Sequence, residues 1–238
     1  RTSQMKVAHT ELASFSYSVS HDLRSPLNTI HAFSHLLIKS EGERISRKGH
    51  HYLSRIIAAA KQMGELIDDL LTLAHLSREQ FKSEPVDLSA TAREIVRDCL
   101  AQAPERQSQA EVHIQDGLSA CGDPRLLSAV LHNLIGNAWK FTSKQPLARI
   151  EVGSQLDASG ETVFFVSDNG AGFDMAFSHK LFGTFERLHS PGEFSGSGIG
   201  LATVKRIVER HGGRVWAQSQ LNEGATFYFT LGRILESV

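Results

Sequence analysis

Residues 123–141, DPRLLSAVLHNLIGNAWKF, predict a helix that carries both a folding signal and a binding signal. The stretch opens with Asp-Pro, an N-cap residue followed by a residue suited to the first helical position. Apolar residues at helical spacing predict the face that packs into a core: Leu127, Val130, Leu134, Ala138 and Phe141. Asn133, Asn137 and Lys140 fall within about 40–60° of one another on the helix. Two amide oxygens and an ammonium on one face suit a triphosphate with its Mg²⁺, although a solvated face explains any single Asn.

Two glycine-rich stretches follow this helix. Asp168-Asn169-Gly170-Ala171-Gly172 comes directly after a predicted strand, and Gly196-Ser197-Gly198-Ile199-Gly200 opens a predicted helix. Glycine lets the backbone approach a ligand closely, and the first turn of a helix offers free N–H groups to phosphate. Ordinary turns explain either stretch alone. The spacing of the second excludes a Rossmann fingerprint, and no Walker A pattern occurs.

Periodicity and turn residues predict a layered α/β arrangement around these motifs. The predicted strands are 86–88, 111–114, 149–155, 162–167, 214–219 and 225–231. The predicted helices are 89–101, 123–141 and 199–211, and Ser89 is the predicted N-cap of the first. Together they predict a sandwich of about 150 residues, with helices on a mixed or antiparallel sheet. Pro85 marks its start, so the predicted domains are 1–82 and 83–238.

The N-terminal third predicts two long helices separated by a polar loop at 40–49. Their apolar stripes follow steps of three and four residues. The stripes are Leu12, Phe15, Val19, Leu23, Leu27, Ile30, Phe33 and Leu37, then Leu53, Ile56, Ala60, Met63, Ile67, Leu70 and Ala74. One hairpin cannot bury both stripes well, so a second copy is expected to complete a dimeric four-helix bundle. Packing against the rest of the same chain is the alternative.

Composition narrows the function classes. The 238 residues are 41% hydrophobic and 21% charged, which supports a folded core. A net charge of −1 argues against a dedicated nucleic-acid or anionic-membrane binder. Cys99 and Cys121 are expected to be buried thiols in a reducing, cytoplasmic setting. No apolar run approaches the ~18–20 residues of a membrane span. The chain reads as a fragment, and anything upstream of it, including a membrane anchor, is not visible in this sequence.

His21 is the residue of the first helix that the apolar stripe does not explain. It lies two positions, about 200°, from both Val19 and Leu23, and is therefore expected to face solvent. Asp22 beside it can hold one imidazole nitrogen protonated and leave the other nucleophilic. Pro26 predicts a kink just after His21. An ordinary surface histidine is the alternative.

The order of these motifs resembles that of sensor histidine kinases. His21, Asn137, Asp168 and the stretch 196–200 are similar to the H, N, G1 and G2 boxes of that family. Further resemblances are LFGTFER at 181–187 to the F box and GATF at 224–227 to the last glycine box. FERLH at 185–189 and HGGRVW at 211–216 look most like kinases attached to phytochrome or PAS sensors. The resemblance covers nearly the whole chain.

The resemblance implies an α+β chain, with a dimeric four-helix bundle followed by a Bergerat-type ATP-binding fold. It implies that His21 is the phospho-acceptor, with Asp22 as its orienting partner and base. It implies that Asn137, with Asn133, holds Mg²⁺, and that Lys140 contacts phosphate.

The remaining nucleotide contacts are implied in the same way. Asp168 would accept a hydrogen bond from the adenine amino group, while Gly170 and Gly172 let the chain pass the base. Residues 173–197 would form a mobile lid. The residues that pin it or reach phosphate from it are Phe182, Phe185 and Arg187. The glycines that hinge it and meet the phosphates are Gly196, Gly198 and Gly200.

The implied reaction moves the γ-phosphoryl group of ATP to a ring nitrogen of His21, in a homodimer. An aspartate of a separate response-regulator receiver then takes the group. Relatives that hydrolyse ATP, the GHKL-type ATPases, place a Glu where this chain has Asn133, which cannot act as a base. A non-catalytic dimeric scaffold is the other alternative. Ser25 stands where relatives with phosphatase activity carry Thr or Asn, which leaves that activity open.

Overall fold

The computed structural model describes residues 25–75, 81–189, 193–194 and 196–232. The chain divides into two compact units. One comprises residues up to 79 together with 195–199, and the other comprises 80–194 and 200 onward. The boundary at 82/83 stays a prediction.

The N-terminal unit contains a helical hairpin. Helix α1 covers residues 25–41, a 3₁₀ turn follows at Gly42–Arg44, and helix α2 runs over Arg47–His75. The connection is shorter than the predicted loop at 40–49. Ser46 explains the early start of α2, because its hydroxyl accepts the Gly49 N–H at 3.1 Å, as an N-cap does. Among the described residues, no helix is both long and apolar enough to cross a membrane.

Only part of the predicted apolar stripe is covered within this hairpin. Leu27, Ala60 and Ile67 form a buried cluster, each 6–7% exposed. Other stripe residues remain 44–67% exposed: Ile30, Phe33, Leu37, Ile56 and Met63. The described part of the hairpin therefore leaves a substantial apolar surface uncovered.

The C-terminal unit contains a five-stranded sheet of order β2-β4-β5-β7-β6. Its strands are β2 (Ala110–Ile114), β4 (Ala148–Leu156), β5 (Thr162–Asp168), β6 (Val215–Gln220) and β7 (Gly224–Phe229). The β2–β4 pair is parallel and the other pairs are antiparallel, so the sheet is mixed, as predicted. A separate two-stranded sheet joins β1 (Glu84–Asp87) to β3 (Ser119–Gly122).

Three helices complete this unit and build its core. They are α3 (Leu88–Gln102), α4 (Pro124–Phe141) and α5 (Gly200–Arg210). The apolar face of α4 is almost completely buried: Leu127, Val130, Leu131, Leu134, Ile135 and Ala138. Buried residues on β5 and β7 include Phe164 and Phe229, whose rings stack at 5.3 Å. The helical N-terminal part and the mixed α/β C-terminal part confirm the predicted α+β class.

The predicted cap of α3 is wrong. Asp87, not Ser89, is the N-cap, and its carboxylate accepts the Ala90 N–H at 2.8 Å. Ser89 is buried instead. Its hydroxyl donates to the Gln115 carbonyl at 2.7 Å and accepts the Leu118 N–H at 2.9 Å. The hydroxyl of Ser89 therefore makes a tertiary contact and does not cap the helix.

Strand β3 and one cysteine also depart from prediction. The sequence did not predict the four residues of β3 as a strand. They form a strand because they pair with β1 in antiparallel orientation. Cys121 lies on β3 and is exposed, whereas Cys99 is half-buried, so the expectation of two buried thiols is wrong for Cys121. Burial raises the pKa of the Cys99 thiol.

Candidate functional site

Helix α4 presents its polar residues as a connected group. Lys140 Nζ donates to Asn137 Oδ1 at 3.0 Å and lies 4.4 Å from the centroid of the Phe141 ring. Asn133 Nδ2 donates to the Ala129 carbonyl at 2.8 Å, which fixes the orientation of its amide. The three predicted polar residues therefore occupy the last turns of one helix, half-buried at the surface of the core.

The start of helix α5 lies directly against this group. A Cβ atom at Gly200 would stand 2.3 Å from Asn133 Oδ1, so a larger residue there would displace the Asn133 amide. Gly200 is the first residue of α5. The first turn of a helix has N–H groups without intrahelical partners, which favour an anion. Asn133 and the α5 N-terminus thus form one polar surface.

Asp168 ends strand β5 and is buried, with 8% of its surface exposed. Its Oδ1 accepts the Gly170 N–H at 2.8 Å. Burial raises the pKa of Asp168 to about 6, while hydrogen bonds from the Gly170 and Ala225 backbones act in the opposite direction. A buried acceptor of this kind favours a ligand that donates a hydrogen bond.

The glycine-rich loop after Asp168 is held from two sides. The Ala171 N–H donates to the Phe141 carbonyl at 3.2 Å, at the end of α4. The Ala171 carbonyl accepts the Asn222 N–H at 2.7 Å, in the turn between β6 and β7. Gly170 and Gly172 flank this residue, so the loop lies next to the C-terminal end of α4, where Lys140 stands. The family resemblance implies that these residues share a nucleotide site, and that shared role stays a prediction.

The segment after this loop departs from its predicted contacts. Phe182 is half-buried, but Phe185 is 63% exposed with a positive φ of 66°. The packing expected of Phe185 is therefore not seen among the described residues. Arg187 Nη2 donates to the Phe194 carbonyl at 2.6 Å and so holds the backbone of its own segment. Its contact with phosphate stays a prediction.

An aromatic cluster that sequence reasoning missed joins this segment to α4. Phe141, His189 and Phe194 place their ring centroids 4.9–5.2 Å apart. Lys144 Nζ stands 4.7 Å from the Phe194 ring centroid. Burial lowers the pKa of His189. The sequence predicts Phe141 on the core face of α4. Its position directly after Lys140 is the one sequence signal that links it to the polar group.

Several predicted site residues belong to the other unit or lie outside the described residues. Gly196 and Gly198 have φ values of 151° and 74° and belong to the segment 195–199 of the other unit. Their contact with phosphate stays a prediction. His21 and Asp22, with the kink predicted before Pro26, lie outside the described residues. Ser25 is exposed on α1, and its carbonyl accepts the Thr29 hydroxyl at 3.0 Å.

The donors at the end of α4 fit Mg²⁺ held together with a triphosphate. Mg²⁺ takes few protein ligands and keeps water and phosphate oxygens. Asn133 Oδ1 and Asn137 Oδ1 are neutral oxygens of the right kind. In the part of the chain that the structure describes, no cluster of three or more His, Cys, Asp or Glu residues could hold a metal ion. Any Mg²⁺ there would therefore depend on these amides and on the phosphates.

Two family models match the chain in succession. The phospho-acceptor domain of histidine kinase A matches residues 11–79. The histidine kinase-, DNA gyrase B- and HSP90-like ATPase family matches residues 122–233. The second range contains each nucleotide-site residue predicted on α4, β5 and α5.

Curated relatives extend this likeness to most of the chain. Cyanobacterial phytochrome B of Nostoc sp. is 36% identical over 230 residues, 96% of this chain and 30% of the relative. The methanogenesis regulatory histidine kinase FilI of Methanothrix harundinacea is 36% identical over 234 residues, 97% of this chain and 26% of the relative. The chain thus spans under a third of the length of these relatives.

A solved structure agrees with both likenesses. Full-length ShkA in complex with AMPPNP is 25% identical, with a TM-score of 0.66 over 92% of this chain and 45% of that one. The phospho-acceptor and ATPase-like domains, their order and these relatives confirm the resemblance drawn from the sequence: the chain belongs to the sensor histidine kinases.

Proposed function

We propose that this chain is a kinase core that moves the γ-phosphoryl group of ATP to His21, from which an aspartate of a response-regulator receiver takes it. The observation that carries the proposal is the joined polar surface of Asn133, Asn137, Lys140 and the α5 N-terminus, next to buried Asp168. Two amide oxygens, a cation and the N-terminal end of a helix suit a triphosphate with its Mg²⁺. The chain also carries a phospho-acceptor domain that ATP-hydrolysing relatives of this fold lack.

Each group has a distinct task in this reaction. Asp168 accepts the adenine amino hydrogen and so orients the base, while Lys140 neutralises phosphate charge. Mg²⁺, when bound at Asn133 and Asn137, neutralises the charge that develops on the phosphates. Positioning and charge neutralisation carry most of the catalysis in phosphoryl transfer.

His21 is the proposed nucleophile. A lone pair on one imidazole nitrogen attacks the γ-phosphorus, and the bond from that phosphorus to the β–γ bridging oxygen breaks, releasing ADP. Asp22 holds the other ring nitrogen protonated, which keeps the attacking nitrogen free and stabilises the charge that the ring gains. The phosphoryl group then passes to a carboxylate oxygen of the receiver, and neutral imidazole is restored.

Asn133 argues against simple ATP hydrolysis. Water needs a base to lose its proton as it attacks, and a carboxamide is neutral at ordinary pH. A hydroxyl can still hydrogen-bond and orient a water molecule, so Ser25 on α1 is a candidate for dephosphorylating the receiver.

We infer a cytoplasmic location from the use of ATP as donor.

The uncovered apolar surface of α1 and α2 supports a homodimer. Ile30, Phe33, Ile56 and Met63 are exposed in the single chain, although each lies on the predicted stripe. A second copy would cover these residues and complete a four-helix bundle. A separate upstream sensor is part of the same proposal, since the chain spans under a third of its relatives.

The test is incorporation of label from γ-labelled Mg·ATP, with His21→Ala and Asn137→Ala alongside. We expect acid-labile, base-stable label on the unmodified chain and none on either variant. Asn137→Ala should also lose nucleotide affinity, whereas His21→Ala should keep it. Label that persists in His21→Ala contradicts the acceptor. ATP binding without label would identify a scaffold, and phosphate release that does not need His21 would identify an ATPase.

A further inference from the structure

His211 is a buried histidine that the proposed reaction does not use. It follows α5 and is 3% exposed. Both of its ring nitrogens are hydrogen-bonded: Nδ1 donates to the Ile207 carbonyl at 2.8 Å, and Nε2 accepts the Asp123 N–H at 3.1 Å. Because Nε2 accepts, the ring is the neutral tautomer with its proton on Nδ1. Burial lowers the pKa of His211, with Asp123 raising it and Arg210 lowering it, which favours the neutral form.

The Asp123 bond joins α5 to the start of α4. Asp123 is the N-cap of α4, and its carboxylate accepts the N–H groups of Arg125 and Leu126. At its other end, α5 touches α4 through Gly200 and Asn133. The two helices that carry the phosphate-binding groups are therefore fixed to one another at two points, about 15 Å apart along α4.

The same point receives the chain that arrives from the helical hairpin. The Phe81 ring meets the His211 ring edge-on at 4.7 Å between centroids, and the Arg210 guanidinium lies 5.8 Å from the Phe81 ring centroid. The Lys82 N–H donates to Asp123 Oδ2 at 3.4 Å. Strand β1 then pairs with β3, with Glu84 opposite Gly122. A Cβ at Gly122 would lie 2.7 Å from the His211 ring, so glycine makes room for it.

We propose that His211 is a positioning residue for phosphoryl transfer, which fixes the incoming chain at Phe81 to both helices of the nucleotide site. The inference rests on the proposed kinase function. Residues 81–87 belong to the covalent connection between the hairpin, which carries the proposed acceptor, and the nucleotide-binding unit. A loose attachment would leave ATP binding intact, because the hydrogen bonds described for Asp168 and Asn137 do not involve His211. It would slow delivery of the phosphoryl group.

Two substitutions at position 211 distinguish the effect of the hydrogen bonds from the effect of filling the buried space. His211→Phe keeps an aromatic ring but removes both hydrogen bonds, whereas the side chain in His211→Gln can still accept the Asp123 N–H. We expect His211→Phe to lower the labelling rate at saturating ATP about tenfold, with nucleotide affinity within about twofold. His211→Gln should restore most of the rate. His113→Phe, at an exposed histidine of β2, is the matched control and should keep the rate of the unmodified chain.

Phe81→Ala tests the attachment without touching the buried ring's hydrogen bonds. We expect it to lower the rate in the same way while the protein stays folded in a thermal melt. A normal rate in either His211→Phe or Phe81→Ala, or an equal loss of rate and affinity, would overturn the role of His211. If His211→Phe fails to fold, Phe81→Ala decides alone. An unmodified chain that takes no label contradicts the kinase proposal itself, and the inference with it.

Discussion

The two units differ in how completely each buries its own apolar surface. In the C-terminal unit, α4 and the central strands bury large residues such as Leu134 and Phe229 almost completely. In the hairpin, Phe33 and Met63 stay exposed although they lie on the stripe that should be the core. Throughout the described residues, no buried side-chain nitrogen or oxygen lacks a hydrogen-bond partner. The contrast is the one that the proposed homodimer predicts: the C-terminal unit buries its own core, whereas the hairpin needs a second copy to cover its stripe.

A large effect on nucleotide binding should come from a buried carboxylate of the complete unit. Asp168→Asn should weaken ATP binding by roughly 10- to 100-fold, because hydrogen bonds to charged groups contribute about 1.5–3 kcal/mol. Calorimetric titration with nucleotide measures it. Asp157→Asn is the control, since Asp157 bonds Ser159 and Arg214 in a surface turn. Equal affinity in Asp168→Asn and the unmodified chain would exclude Asp168 from the site.

The incomplete unit should respond to a charge on its exposed stripe. Ile56→Asp should shift the dimer to monomer by about 100-fold or more in dissociation constant, since each buried Ile contributes about 1.5–3 kcal/mol and occurs twice in a symmetric dimer. Sedimentation equilibrium measures this. Ser54→Asp adds the same charge at an exposed position of the same helix and should leave the dimer intact. If the unmodified chain is monomeric at micromolar concentration, the proposed homodimer is contradicted.

A smaller effect concerns pH and again the complete unit. The folded pKa of Asp168 is about 6, above its ordinary value of 3.8, so the folded state binds its proton more tightly. The stability lost to this group therefore grows as pH rises from about 4 to about 6 and is constant above that range. The free energy of unfolding of Asp168→Asn should equal that of the unmodified chain near pH 4. At pH 7 it should be larger by on the order of 2 kcal/mol. Denaturant unfolding at both pH values measures it, and a variant less stable at pH 7 would contradict the buried charge.

Local signals predicted the elements that local contacts decide. Asp123 caps α4 as predicted, because its carboxylate accepts the N–H groups of the next residues in the chain. Ser89 was the predicted cap of α3, but its hydroxyl bonds distant Gln115 and Leu118 instead. The sequence of β3 carries no alternation, and pairing with β1 makes it a strand.

The positions of the candidate site residues, whose roles stay predictions, could be predicted where motifs lie on regular elements. Asn133, Asn137 and Asp168 followed from helical spacing and from the end of a strand. The aromatic cluster of Phe141, His189 and Phe194 did not, because its members come together through a segment with no regular structure. The bond between Asp123 and His211 joins residues 88 positions apart, and no spacing rule reaches that far.

The exposed stripe of α1 and α2 has a consequence for how this protein melts. A unit that completes its core with a second copy unfolds by a bimolecular equilibrium, so its melting temperature rises with protein concentration. The C-terminal unit unfolds by a unimolecular one, with a midpoint that does not depend on concentration. In the proposed dimer, the melting temperature of the hairpin therefore depends on protein concentration, whereas that of the C-terminal unit does not.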